Sequence, residues 1–150
     1  SLGVADRVTF RGSADQATVR EAMDAADLFV LPSVTASNGD QEGTPTVLME
    51  AGAAGLPVIS TLHAGIPEVV LDGVTGRLVA ERDHEALAVV LGELLAAPER
   101  WGAMGRAARD HIAAHYDRHR LVDQLEELYR ELIPNGRGDW VSPPGPPRGR

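Results

Sequence analysis

The sequence predicts an α/β fold: a doubly wound parallel sheet with helices on both faces, followed by further helices at the C-terminal end. Three observations carry this. Two short runs, Leu28-Phe29-Val30-Leu31 and Pro57-Val58-Ile59-Ser60, are almost wholly apolar, the pattern of strands buried on both faces. Helix start and stop signals, rather than hairpin turns, lie between such runs, and a strand–helix alternation builds a parallel sheet. Apolar residues make up 43% of the 150 residues, enough for one ordinary core and too many for wholesale disorder.

Val8-Thr9-Phe10 alternates and stops at Gly12, which predicts a short first strand. Asp15 is placed to cap a helix with apolar positions at Val19, Ala22, Met23 and Ala26. Pro32 closes the run 28–31, and a loop rich in Ser, Asn, Gly and Asp spans 33–43. Thr44 as cap and Pro45 as first helical residue open the next helix, which runs to about Gly55. The strand 57–60 is followed by a short helix over 67–71, a turn at Asp72-Gly73 and a short strand over 77–79. Three helices are predicted beyond it, over 83–96, 99–114 and 118–132. From Asn135 onward almost nothing is apolar except Trp140 and Val141. One domain over residues 1-134 and a disordered Pro/Gly/Arg tail over 135-150 are therefore expected. Arg137-Gly138-Asp139 and Pro143-Pro144-Gly145-Pro146-Pro147 lie in that tail and read as products of its composition.

The net charge is -8, and the last sixteen residues carry three Arg against one Asp, so the remainder is more acidic still. A body of this charge lacks the basic face that nucleic-acid binding needs, so no nucleic-acid partner is expected. A small anion held by backbone amides is not excluded. The absence of cysteine removes disulfides and thiolate metal sites. No apolar run is long enough to span a bilayer, and the first residues do not form a signal peptide, so a cytoplasmic domain is expected.

The chemistry concentrates in Glu42-Gly43-Thr44-Pro45-Thr46-Val47-Leu48-Met49-Glu50. On a continuous helix, eight residues bring two side chains to within roughly 80° of one another, roughly 12 Å apart along the axis. Between the two carboxylates the helix start offers N–H groups at Thr46, Val47 and Leu48, a seat for phosphate. A nucleotide diphosphate sugar fits: one carboxylate takes sugar hydroxyls, the other ribose hydroxyls, and the diphosphate lies over the helix start. Two ordinary helix glutamates would show the same spacing. The neighbours Leu48, Met49 and Ala51 predict a largely buried helix, in which Glu50 would need a partner.

This segment is followed by Ala51-Gly52-Ala53-Ala54-Gly55-Leu56-Pro57-Val58-Ile59-Ser60-Thr61, Gly65-Ile66-Pro67-Glu68-Val69-Val70, Asp72-Gly73-Val74-Thr75-Gly76 and Leu78-Val79. It is preceded by Ala26-Asp27-Leu28-Phe29-Val30-Leu31-Pro32-Ser33. In this order the motifs resemble the retaining glycosyltransferases of family 4, over about residues 4–133. Ser33-Val34-Thr35, Gly39-Asp40 and His63 with Gly65-Ile66-Pro67-Glu68 are most similar to members of exopolysaccharide, colanic-acid-type assembly clusters. The resemblance implies the C-terminal, Rossmann-like half of a GT-B fold that binds a nucleotide-sugar donor and transfers the sugar, with retention, to an acceptor hydroxyl.

By the same resemblance, Glu42 contacts the transferred sugar at the reacting carbon and is the catalytic candidate. Gly43, Thr44 and Pro45 line the sugar, and His63 approaches it from the next loop. Pro45 departs from a glycine common in the family and removes an N–H there. Thr46 and Val47 hold the phosphates through their amides, Glu50 binds the ribose, and Gly12 and Ser13 lie by the base. No cofactor beyond the nucleotide diphosphate sugar, and no metal, is implied. The family's acceptor-binding domain and its diphosphate-gripping Arg/Lys pair have no counterpart after Ser1, and Arg7, Arg11 and Arg20 do not replace that pair. The chain is therefore expected to supply part of a donor site and to be inactive alone. A glycan or lipid-linked acceptor would bind the absent domain, with room for peripheral membrane association of the full-length enzyme. Two alternatives stand: a GT-B nucleotide-sugar epimerase, which the glutamate spacing fits less well, and a non-catalytic nucleotide-sugar-binding or scaffold domain. His111, His115 and His119 recur every four residues but straddle the break at Tyr116-Asp117, which argues against a metal site.

Overall fold

The structure, a computed structural model, describes residues 3–133; the expected tail, with its Arg-Gly-Asp and proline runs, lies outside them. The described chain divides into two units, one up to Asp117 and one from Arg118. In the first, β1 (Phe29–Leu31), β2 (Val58–Thr61) and β3 (Gly76–Val79) form a parallel sheet in the order β1-β2-β3. Phe29 pairs with Val58 and Ser60 with Leu78, so the two apolar runs of the sequence lie side by side as strands.

Helices α1 (Gln16–Asp24), α2 (Thr46–Ala54), α3 (Ile66–Val69), α4 (His84–Leu95) and α5 (Trp101–His115) accompany the sheet. Adjacent residues of β2 point to opposite faces, as the strand period requires. Val58 packs with Met23, Leu48, Ala51, Ile66 and Ile112, whereas Ile59 packs with Val79, Val90, Leu94 and Met104. Both faces are thus covered, which is why every residue of β2 is buried. Asp15 caps its helix as the sequence predicts, and Asp83, expected as the first residue of its helix, is also a cap. Asp15 Oδ1 accepts the Thr18 N–H at 2.8 Å, and the Asp83 carboxylate accepts the Ala86 N–H at 2.8 Å, each satisfying a donor of a helix start.

The helix that carries Glu50 is clamped from its C-terminal end. Gly55, with φ 83°, turns the chain out of α2 in the left-handed region open to glycine. Gly105 of α5 sits against the Gly55 carbonyl so closely that a Cβ would overlap it. One turn on, the Arg109 guanidinium donates to Ala53 O at 3.0 Å and to Ala54 O at 2.7 Å, the carbonyls that a helix end leaves unpaired. At the other end of α5, His111 Nε2 and the Tyr116 hydroxyl both donate to Glu68 O, at 2.9 and 3.0 Å.

The expected first strand does not form. Val8-Thr9-Phe10 follows a short 3-10 turn (Ala5–Arg7), Phe10 is 93% exposed, and no strand pairs with it among the described residues. Alternation makes a strand only where a neighbour completes the ladder, and here there is none. The second unit is described by α6 (Arg118–Leu132), which bears Leu121, Val122, Leu125, Leu128, Tyr129 and Leu132 on one stripe. No helix among the described residues is long and apolar enough to cross a membrane.

Candidate functional site

The carboxyl ends of β1 and β2 open into two loops that meet. The first, residues 32–45, runs from β1 to α2 and carries Glu42; the second, residues 62–65, runs from β2 to α3 and carries His63. Crevices beyond the carboxyl ends of parallel strands are where such sheets bind ligands. The loops touch where Gly65 lies against the Thr44 hydroxyl, so closely that no side chain would fit on Gly65. Glu42, Gly43, Thr44, Pro45 and the turn after His63 are therefore one cluster.

The start of α2 differs by one residue from expectation. Pro45 is the cap, with φ -60° and ψ 120°, and Thr46 is the first helical residue. The Thr44 hydroxyl, expected to cap, lies packed against Gly65. A proline cap has no side chain that accepts from the helix, and none does. Of the three amides expected to be open, that of Leu48 already donates to Pro45 O at 3.1 Å. Thr46 and Val47 remain, the first two helical residues, with no carbonyl a turn behind them. They form an uncapped, positively polarised helix end.

Glu42 lies before the helix rather than on it, so the ideal-helix estimate of its angle to Glu50 does not apply. Glu50 is also more open than its neighbours suggest: Leu48, Ala51 and Gly52 are buried, while the Glu50 side chain points outward. Both carboxylates are exposed and neither has a partner among the described residues. The burial argument for a partner to Glu50 is thereby removed, and what stands is a pair of solvated carboxylates on either side of an uncapped helix start. Glu50 borders a groove of about 320 Å³ between α1 and α2, lined also by Gln16, Val19, Arg20, Met23 and Ala53. Gly12 and Ser13 are exposed in the loop before α1, with Gly12 at φ 67°. Nothing described joins them to the Glu42 cluster.

His63 does not face solvent. Its ring is buried, Nδ1 lies 2.7 Å from Glu81 Oε1, and Nε2 is enclosed with no partner among the described residues. The ionised carboxylate has no hydrogen to give, so Nδ1 donates. Glu81 also accepts the Thr35 N–H at 2.8 Å and the Thr35 hydroxyl at 3.2 Å, while Arg82 Nη2 donates to Thr35 O at 2.6 Å. The loop start is held again by β2, as the Ser60 and Thr61 hydroxyls donate to Leu31 O and Ser33 O at 2.6 and 2.5 Å. Sequence reasoning did not single out Thr35, Glu81 or Arg82. The available signal was an acidic residue just past the carboxyl end of a strand in a parallel sheet.

The Thr35 amide is the main cause holding the Glu81 carboxyl below its ordinary value of 4.5, with the His63 contact second and partial burial opposing both. A carboxyl with a depressed folded pKa contributes stability above its unfolded value and loses it as pH falls through the folded one. The Thr35 amide proton shift should therefore titrate with a midpoint below 4.5. The transition should vanish in Glu81→Gln. A midpoint at or above that value would contradict the contact.

The sequence model of the family described as Glycosyl transferases group 1 matches residues 1–97. Among curated relatives, the amylovoran biosynthesis glycosyltransferase AmsK of Erwinia amylovora is 40% identical over 85% of this chain and 31% of its own length. The putative colanic acid biosynthesis glycosyltransferase WcaL of Salmonella typhimurium is 41% identical over 76% of this chain and 28% of its own. Among solved structures, sucrose-phosphate synthase of Thermosynechococcus elongatus superposes with a TM-score of 0.76 at 32% identity, over 89% of this chain and 32% of that one. HepE of Anabaena, solved with UDP-glucose, gives 0.74 at 25%, over 87% and 34%. The chain thus spans less than a third of the length of these curated relatives. By motif, by parallel sheet and by these likenesses, the chain belongs to the Glycosyl transferases group 1 family.

Proposed function

We propose that this chain supplies part of the donor site of a retaining glycosyltransferase, which moves a sugar from a nucleotide diphosphate sugar to an acceptor hydroxyl. The observation that carries this is the uncapped start of α2, flanked by two partnerless carboxylates. Amides at a helix start suit a diphosphate, and carboxylates suit vicinal hydroxyls on either side of it. Thr46 and Val47 take the diphosphate, Glu42 the sugar and Glu50 the ribose. Gly43, Thr44 and Pro45 line the sugar, with His63 behind them, and the base lies toward Gly12 and Ser13. HepE, a solved likeness, holds UDP-glucose, and a relative 45% identical over 72% of this chain is named for GDP-mannose; both are nucleotide diphosphate sugars.

In the reaction, the bond from the anomeric carbon to the diphosphate oxygen breaks and a bond from the acceptor oxygen to that carbon forms on the same face. The acceptor's proton passes to the departing diphosphate, whose charge the helix amides stabilise. Glu42 orients the sugar, and no covalent protein intermediate is required. The acceptor, a glycan or a lipid-linked sugar, binds outside this chain. A cytoplasmic setting fits a chain without cysteine.

Because amides and, in the full-length enzyme, basic side chains meet the phosphate charge, donor binding should need no divalent metal. Isothermal titration of UDP and GDP into the full-length enzyme, with Mg²⁺ or with EDTA, checks this. Equal affinities are expected, and a tenfold loss on chelation, about 1.4 kcal/mol, would overturn the metal-free reading.

A further inference from the structure

The buried His63, its partner Glu81 and the Thr35 they hold are not explained by any contact to a donor. His63 Nε2 is enclosed, so the ring does not meet a sugar in this conformation. What the ring and carboxylate do is join three loops. Glu81, just past β3, takes both hydrogens of Thr35 at the start of loop 32–45 and the Nδ1 hydrogen of His63 from the loop after β2. The residues following His63 then reach the far end of loop 32–45, where Gly65 packs on Thr44 beside Gly43 and Glu42. The loop bearing Glu42 is thus held near its start by Glu81, which also holds His63, and met near its end by the turn that follows His63.

Backbone strain falls at the same place. Among the described residues, the non-glycine positions with left-handed backbone are Ala64, at φ 43°, and Arg82, at φ 63°. One follows His63 and the other follows Glu81. Such conformations are unfavourable for residues with a Cβ and persist only where the surroundings over-determine them. Here the surroundings are the 2.7 Å contact between His63 and Glu81, and the 2.6 Å bond from Arg82 to Thr35 O. Ordinary loop packing would not need two strained residues, a buried imidazole and a carboxylate with three hydrogen bonds.

We propose that Glu81 and His63 are positioning residues of the donor site, a buried imidazole and its half-buried carboxylate partner that together fix where Glu42 stands relative to the start of α2. The proposal rests on the donor-site reading above. It predicts a split, because nucleotide contacts belong to α2 itself, whereas the sugar contact belongs to the gripped loop. In the full-length enzyme, Glu81→Ala should lower kcat at least tenfold with UDP-glucose or GDP-mannose, whichever the unsubstituted enzyme turns over. Affinity for free UDP or GDP should change less than threefold. His63→Phe, which keeps the ring volume and loses the donor, should behave like Glu81→Ala. His63→Asn, whose amide can replace Nδ1–H, should recover most of the turnover.

A second readout needs no donor. In this chain, ¹⁵N NMR should show His63 with its hydrogen on Nδ1, and Glu81→Ala should abolish that preference and speed hydrogen exchange at the Thr35 amide. Faster exchange with unchanged kcat would overturn the proposal and leave a merely structural contact. Parallel loss of turnover and nucleotide affinity would overturn it too, as would His63→Phe matching the unsubstituted enzyme. If Glu42→Ala also left turnover intact, the donor-site reading itself would fail, whatever the state of Thr35.

Discussion

Glu42→Ala in the full-length enzyme should leave affinity for a free nucleoside diphosphate nearly intact while sugar transfer collapses, and Glu50→Ala should weaken the nucleoside diphosphate and the nucleotide sugar alike. A hydrogen bond to a charged group is worth roughly 1.5–3 kcal/mol. Each lost contact should therefore cost on the order of ten- to a hundredfold in the quantity it controls. The structure makes this comparison clean. Both side chains are exposed and neither has a partner among the described residues, so truncating them removes no bond to those residues. Stability should move by no more than about 0.5 kcal/mol, as for other surface substitutions, and a lost activity will not be lost folding. Calorimetric affinity for UDP and GDP, set beside kcat with the sugar donor, separates the roles. Equal effects of both substitutions on free-nucleotide affinity would mean that the two-ended arrangement is wrong.

Gly105→Ala should be among the most damaging single methyls added to the first unit. The new Cβ would overlap the Gly55 carbonyl oxygen, and neither side can yield easily. Gly55 is already committed to φ 83°, and Gly105 lies inside α5. Relief requires α5 to move off the end of α2, opening the packing of Ile112 against Gly52 and drawing Arg109 away from Ala53 O and Ala54 O. Overpacking typically costs 1–3 kcal/mol, and about 3 kcal/mol is expected here because the obstacle is backbone. Gly102→Ala, one turn earlier in the same helix, is the control. Its Cβ would meet only the Arg106 guanidinium at 3.4 Å, so it should instead gain roughly 0.5–1 kcal/mol from helix propensity. Urea unfolding of the two variants should shift in opposite directions. Destabilisation by both, to the same extent, would show that the close approach of Gly105 to Gly55 is not what matters.

What was legible in the sequence is what nearest-neighbour physics decides. Asp15 caps the helix it precedes because the amide it accepts from lies three residues on. Gly55 ends α2 because only a left-handed residue turns the chain there at low cost. The runs 28–31 and 57–60 are adjacent parallel strands because apolar residues on both faces suit only a sheet covered on both sides. The cluster of Glu42 to Val47 with the loop after β2 was legible as well, since its members lie in motifs at the carboxyl ends of those strands.

Other features depended on groups far away in the chain, which no local signal reports. Val8-Thr9-Phe10 alternates like a strand, yet a strand is made by the neighbour that pairs with it. Thr44 has the chemistry of a cap, but it packs against Gly65, twenty-one residues later, and Pro45 is the residue that begins the helix. Glu50 sits among apolar residues, and only the direction in which α2 packs decides that Leu48, Ala51 and Gly52 turn inward while the carboxylate turns out. The meeting of Thr35, His63 and Glu81 is the clearest case: 46 residues separate the ends of one hydrogen bond and 18 those of another. The order of the paired strands and of the helices follows from short-range sterics and patterning, so the sequence determined it alone; which segment finds a pairing neighbour, which residue begins α2 and which side chains meet across the ends of the strands depend on how the elements pack, and that only the tertiary structure decided.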